Sequence, residues 1–397
     1  MNTALKHWKE AATVILAAGM KRGPVAEPPW RAADRASVPH GSAFDYSVLL
    51  LKRSGRSGFM PNAYVFPGGL AEASDFSPEW VELFEPFRNL PNFGVGVVKQ
   101  PLETRPPIFA TDRVKLGSPV PGDVAFRICA VRETFEEAGV LLVVPRKEAH
   151  RLAADHDDLS RSSPTALPEL CDRGEIARWR SLVIQSSSNF IRMCRELQCL
   201  PNIWAMHEWG NWLTPTGLSG RRRRYDTAFY LCCLEEIPDT VQDEKEIVHF
   251  EWSTPSEILS SYLERKLWIA PPQFYDLGRM SHIPLLSDLH DFAKRRSVEG
   301  CEQWLPVYLA ATDGHISLLP GDSMYPKNPE YTEETNSSAA PEKCREELLK
   351  GSPNLHRIVI QDLYTASVYM NITPKYKHLP PLTSSALNNQ SKHDSKL

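Results

Sequence analysis

The nine residues Arg132-Glu133-Thr134-Phe135-Glu136-Glu137-Ala138-Gly139-Val140 constrain this chain more than any other stretch. Asp123 follows Pro121-Gly122 and is placed to cap a helix at its N-terminus, while Gly139 is placed to end it after Ala138. On a helix turning about 100° per residue, Val124, Ile128, Val131 and Phe135 share one stripe, which predicts a buried face. Glu133, Glu136 and Glu137 lie on the other side, where spacings of three and four make their carboxylates neighbours. Like charges so close repel, and the helix gains nothing from them unless something positive sits there. Oxygen-rich clusters suit Mg²⁺ or Mn²⁺, which take carboxylates, waters and substrate phosphates together. Arg132, one turn from Glu136, can hold a carboxylate by a forked hydrogen bond. A solvated acidic helix end would need only the Glu-Glu pair. The whole pattern arises by chance on the order of once in ten thousand chains of this length.

The rest of the chain reads as alternating strands and helices, an α/β arrangement. Residues 13–18, 46–52 and 225–234 are predicted strands, the last the strongest. Residues 252–266 read as a strand end running into a helix, and residues 281–296 as a last helix. Proline-rich or polar segments near 23–44 and 76–121, and a mostly helical one near 145–200, read as insertions. Beyond residue 301 only short strand-like runs and a polar tail remain.

Residues 132–140 match the second half of the Nudix box, G-x5-E-x7-R-E-U-x-E-E-x-G-U, so the chain resembles the Nudix hydrolases. The first half stands upstream: Phe66-Pro67-Gly68-Gly69 is the usual lead-in, and Asp75 occupies the first Glu position. Gly69 lies 63 residues before Arg132 where the box has 14, which is an insertion of 49 residues. The resemblance extends to the peroxisomal (acyl-)coenzyme A diphosphatase branch. Leu49, Leu50, Lys52, Arg53 and Ser54 fall in register with the pattern of coenzyme A-cleaving members, whereas Leu51, Gly58 and Asn62 depart from it. Arg56 stands near the missing Arg.

The resemblance implies an α/β Nudix fold over residues 10–300, a mixed sheet sandwiched between helices, with a split box and helical insertions. Residues 301–397 would be a C-terminal extension. It also implies Mg²⁺- or Mn²⁺-dependent hydrolysis of coenzyme A or acyl-coenzyme A to 3',5'-ADP and (acyl-)4'-phosphopantetheine. Glu133, Glu136 and Glu137 would be the metal ligands, with Glu133, Glu137 and Arg132 as the catalytic set. The base is left open between Glu133 and a later carboxylate such as Glu244 or Glu246. Arg53, Gly68, Gly69 and Arg224 are the candidate substrate-binding residues. Arg224 ends the run Arg221 to Arg224, which is either a solvated loop or a clamp for the 3'-phosphate. Trp212 and Tyr225 are either core aromatics or a stack for adenine. ADP-ribose hydrolysis and a non-catalytic binding protein remain alternatives.

A formal net charge of -4 implies no nucleic-acid surface, and no apolar run reaches membrane-spanning length. Eight cysteines without a CxxC pair argue against a disulfide scaffold or zinc site, and the sequons at Asn336, Asn371 and Asn389 are then expected to be unused. His207-Glu208 begins an HExxH motif that Asn211 breaks; Gly94-Val95-Gly96 lacks the context of a dinucleotide loop; His282 and His290 are expected to ligate nothing. The terminal Ser395-Lys396-Leu397 on a polar tail predicts recognition by the peroxisomal import receptor and a peroxisomal location.

Overall fold

The apolar run that follows Lys9 becomes the central strand of the molecule. A computed structural model describes residues 8–20, 44–154, 172–215, 224–329, 342–350 and 352–383. The proposed insertion near 23–44, the arginines 221–223 and the terminal tripeptide lie outside the described residues. Along the chain the strands are β1 (Lys9–Gly19), β2 (Tyr46–Arg53), β3 (Tyr64–Val65), β4 (Gly68–Leu70), β5 (Val143–Pro145), β6 (Cys199–Pro201) and β7 (His207–Leu213). They continue with β8 (Tyr225–Leu234), β9 (Ile247–Ser253), β10 (Gln303–Trp304), β11 (Val307–Ala311), β12 (Gly314–Leu318), β13 (His356–Asp362) and β14 (Thr365–Met370).

The main sheet runs β10-β7-β8-β1-β2-β3. Its backbone is the parallel pair β1 and β8, in register from Lys9↔Tyr225 to Ala18↔Leu234. The other edge of β1 is shared: β4 pairs antiparallel with its first half at Ala12↔Gly69, and β2 with its second half at Ala17↔Val48. That division brings the Gly68-Gly69 corner to the middle of β1. Because both faces of the sheet are covered, β1 is buried from Ala11 onward.

One face packs against the helix Gly122–Ala138, with Val14, Leu16, Val124, Ile128, Val131 and Phe135 in a single core. The apolar stripe read from the sequence is buried, but so is nearly all of the remaining circumference, including Arg127, Arg132 and Thr134. The reason is the segment between the two halves of the box. Its Trp80, Phe84, Phe87 and Phe93 pack on one another and, through Phe84 and Phe87, on Trp204, and join the same core, so the helix has no solvent face on that side. Each such ring contributes about 1.5–3 kcal/mol by leaving water. Asp123 does not cap the helix; Pro121 holds that position, and Asp123 pairs with Arg105 at 2.7 Å. Gly139 ends the helix in the left-handed conformation, φ 69°.

The opposite face of the sheet carries the helices Pro255–Leu263, Pro271–Met280 and Leu286–Ser297. Described residues beyond 301 pack into this layer. β10 joins the main sheet beside β7, and β11 to β14 form a meander whose Ile358, Ala366 and Val368 enter the second core. The four-stranded sheet was not legible because its strands are short and separated by the polar loop after residue 322. The HExxH remnant is structural: Glu208 accepts both terminal nitrogens of Arg105. Among the described residues the cysteines are free and no helix is long and apolar enough to cross a membrane.

Candidate active site

Two glycines and the carboxylate helix make the centre of the site. β4 holds Gly68 and Gly69 against Thr13 and Ala12, facing the last turns of the helix. The Gly68 N–H donates to Glu137 Oε2 at 2.9 Å. A Cβ on Gly69 would stand 2.5 Å from the carboxyl carbon of Glu133, so any other residue there would displace that carboxylate. The two halves of the split box therefore meet in space.

Arg132 fastens them. Its Nε donates to Asp75 Oδ1 at 2.9 Å and its Nη2 to Asp75 Oδ2 at 2.8 Å, a fork between groups 2% and 1% exposed. Nη2 also donates to the Leu70 carbonyl at 2.9 Å. Nη1 donates to both Glu133 Oε1 and Glu136 Oε1, each at 2.8 Å. The sequence suggested a fork to a helix carboxylate; the fork goes to Asp75, and the helix carboxylates share the remaining nitrogen. Asp75 thus positions the site through Arg132.

The three glutamates are not gathered as their spacing suggested. Glu133 and Glu136 are drawn to Arg132, while Glu137 is buried beneath Gly68. Among the described residues no three acidic, His or Cys side chains form a preformed cage. A hard divalent cation needs none, since Mg²⁺ usually takes one or two carboxylates and fills its remaining positions with waters and substrate phosphates. The donor set fits such an ion. Burial first, and the Glu133 charge second, push the Glu137 carboxyl well above the usual range, opposed by the Gly68 N–H and, less, by the Arg53 charge. Burial likewise pushes Glu133 up to about 7, against the pull of Arg132. Glu133 and Glu137 are the buried carboxylates that could hold such a cation.

That imbalance has a pH signature. Glu133 and Glu137 have raised folded-state pKa values, so the metal-free fold retains protons that the unfolded chain gives up above about pH 4.5. Their contribution to stability is present below that pH; that of Glu133 is lost as pH rises through about 7, and that of Glu137 as pH rises through its own raised value. A bound cation requires the deprotonated form and reverses the trend. Thermal unfolding with and without Mg²⁺ should show a metal-induced increase in Tm that grows between pH 5 and pH 8. An increase equal at both pH values would contradict the assignment.

The site opens into a cavity of about 680 Å³. Arg132, Glu133, Glu136, Glu137, Gly68, Gly69 and Arg53 all line it. Arg53 Nη2 binds Glu246 Oε1 at 2.6 Å, and Glu246 lines the cavity while Glu244 does not. Tyr225 lines it too, edge to face with Phe59 at 5.0 Å. Trp212 shows one edge to the cavity and otherwise serves the core, donating to Asp276 at 3.2 Å and packing on Trp304 at 4.9 Å.

Arg224 is not part of this site. Strand parity sends Tyr225, Thr227 and Phe229 to the cavity, and Arg224 to the face shared by Asp226 and Ala228. There its guanidinium, 2% exposed, lies 5.3 Å from the Trp8 ring centroid. Arg53 and Arg132, not Arg224, bring positive charge to the cavity wall. Sequence reasoning also missed Gln273 and Tyr308 in the cavity wall, which come from remote elements and carry no local motif.

The chain matches two family models, one described as the NUDT19 Nudix domain over residues 8–280 and one as the NUDT19 C-terminal domain over residues 308–371. It is 48% identical to a Gallus gallus protein named acyl-coenzyme A diphosphatase NUDT19, across 96% of this chain and 97% of that one. A Xenopus laevis protein of the same name is 45% identical, covering 96% of this chain and 98% of its own. A Homo sapiens protein of that name is 42% identical, covering 95% of each.

Proposed function

The chain belongs to the Nudix hydrolases, in the NUDT19 family, and from that premise we propose that it hydrolyses coenzyme A and acyl-coenzyme A to 3',5'-ADP and (acyl-)4'-phosphopantetheine, with Mg²⁺ or Mn²⁺ as the cation. The observation that carries this reading is the Glu133–Glu137 pair under the Gly68-Gly69 corner, at the foot of a cavity large enough for an extended substrate. The relatives' names supply the substrate.

Glu133 and Glu137 would hold the cation, with Glu136 in support. Once bound, the ion neutralises diphosphate charge and polarises the phosphorus centre for attack by water. The chain's own residues do the rest. Arg132 fixes the direction of Glu133 and Glu136, and Gly68 fixes Glu137, so the ligands are set before substrate arrives. Arg53 carries a positive charge into the cavity within reach of a phosphate. Water adds to one phosphorus, the bridging P–O bond breaks, and the water's proton passes to a carboxylate of the cavity.

Product analysis tests reaction and substrate together. Incubation of the full chain with coenzyme A and Mg²⁺ or Mn²⁺ should yield 3',5'-ADP and 4'-phosphopantetheine in equal amounts, and chelation should stop it. Faster cleavage of ADP-ribose would transfer the assignment to that substrate. Ser395-Lys396-Leu397 supports, as part of the same proposal, a peroxisomal address read by the import receptor. Removing Leu397 should leave the protein in the cytosol, and unchanged import by microscopy would refute it.

A further inference from the structure

We propose that Gln273, from the Nudix domain, and Tyr308, from the C-terminal domain, form the recognition site for the amide-bearing pantetheine arm of the substrate; this rests on the coenzyme A reading above. Gln273 stands in the first turn of the helix Pro271–Met280, after Pro271 and Pro272, and lines the catalytic cavity at 6% exposure. Its Oε1 is buried and has no hydrogen-bond partner. A buried amide oxygen without a donor costs free energy that a ligand N–H restores. Tyr308, on β11, closes the same wall. Burial pushes its phenol up to about 12.

The distribution of charge in the cavity says which part of the substrate belongs there. The charged side chains all come from the end of β2, the Glu72 corner, the carboxylate helix and the residue before β9. Residues 270–273, 212–215 and 308 contribute none. On the charged side a second recess, about 450 Å³, adds Arg56 and Lys245 and shares Arg53, Phe59 and Tyr225 with the cavity. The two are therefore continuous. The doubly phosphorylated adenosine half fits the basic recess, which the Phe59 and Tyr225 rings also line. The other end of the substrate is an uncharged chain with two secondary amides. An apolar wall with one unsatisfied carbonyl acceptor and one phenol matches it, because the acceptor takes an amide N–H and the phenol donates to an amide C=O. Acyl groups would extend from the same arm.

Product inhibition separates the two ends. 4'-Phosphopantetheine and 3',5'-ADP are titrated against coenzyme A hydrolysis by the full-length enzyme, Gln273→Leu and Tyr308→Phe. Each variant should raise KM for coenzyme A and the inhibition constant of 4'-phosphopantetheine about three- to tenfold, the loss expected for one neutral hydrogen bond. kcat and inhibition by 3',5'-ADP should stay at wild-type values. Tm of Gln273→Leu should not fall, because its side-chain oxygen has no intramolecular bond to lose. Weakened inhibition by 3',5'-ADP instead would place the adenosine half at this wall and overturn the proposal. Unchanged inhibition by both products, in enzyme whose wild type cleaves coenzyme A, would overturn it equally. A wild type that does not cleave coenzyme A would refute the functional reading itself before any variant is compared.

Discussion

Glu137→Gln is expected to lower kcat by about a thousandfold, about 4 kcal/mol of transition-state stabilisation lost with a carboxylate that would hold the cation. The substitution is nearly isosteric, and its amide oxygen can still accept the Gly68 N–H. What it removes is a negative charge at a position where the structure has concentrated two. The folded protein should therefore keep or gain stability without metal, since a buried carboxyl whose charged form is disfavoured has become neutral. It should also lose the metal-induced rise in Tm. This opposition, activity down with stability level, distinguishes loss of a ligand from damage to the fold. Glu244→Gln is the control, because that exposed residue does not line the cavity, and its kcat should stay at the wild-type value. Turnover of Glu137→Gln within tenfold of wild type, measured at saturating Mg²⁺, would remove Glu137 from the machinery.

The carboxylate helix was legible because its information is local. Spacing on a helix decides which side chains adjoin, and residues 122–139 obey that rule from the proline before the first turn to the glycine after the last. Strand β8 was legible for the same reason, and its alternation also held the information that excludes Arg224. Tyr225, Thr227 and Phe229 share a face that Arg224 does not, but four consecutive arginines drew attention to their charge rather than to their parity. Nothing local revealed that the segment between Gly69 and Arg132 would wrap the helix and bury its polar side. Nor did anything local pair Asp123 with Arg105 rather than with the helix N-terminus. Tyr308 and Gln273 reach the cavity through packing between the meander and the helix layer. Such contacts depend on how whole layers stack, and no window of sequence contains them.

Asp75→Ala should produce the largest loss of stability of any single change near the site, about 3–5 kcal/mol, the cost of leaving one partner of a buried ion pair alone. The guanidinium of Arg132 is 2% exposed and has no water to replace the two bonds it would lose. An exposed pair gives the contrast: Arg173 and Asp239, 94% and 80% exposed, meet at 2.7 Å, and Asp239→Ala should change stability by less than about 0.5 kcal/mol. Asp75→Ala should also disturb metal use without touching a ligand. Freed from Asp75, Arg132 can turn wholly toward Glu133 and Glu136, so its charge competes with the cation and the metal concentration for half-maximal activity rises. Arg132→Lys separates the two effects, since lysine keeps the charge but cannot form the fork. Denaturant unfolding with a metal titration of activity would show both. A loss below about 1 kcal/mol for Asp75→Ala would mean that the pair is not what joins the split box. The pair spans 57 residues of chain and so ties down both ends of the insertion between the halves. The insertion is tolerated because this contact, and the Gly69–Glu133 fit beside it, leave the two halves as close as if nothing had been placed between them.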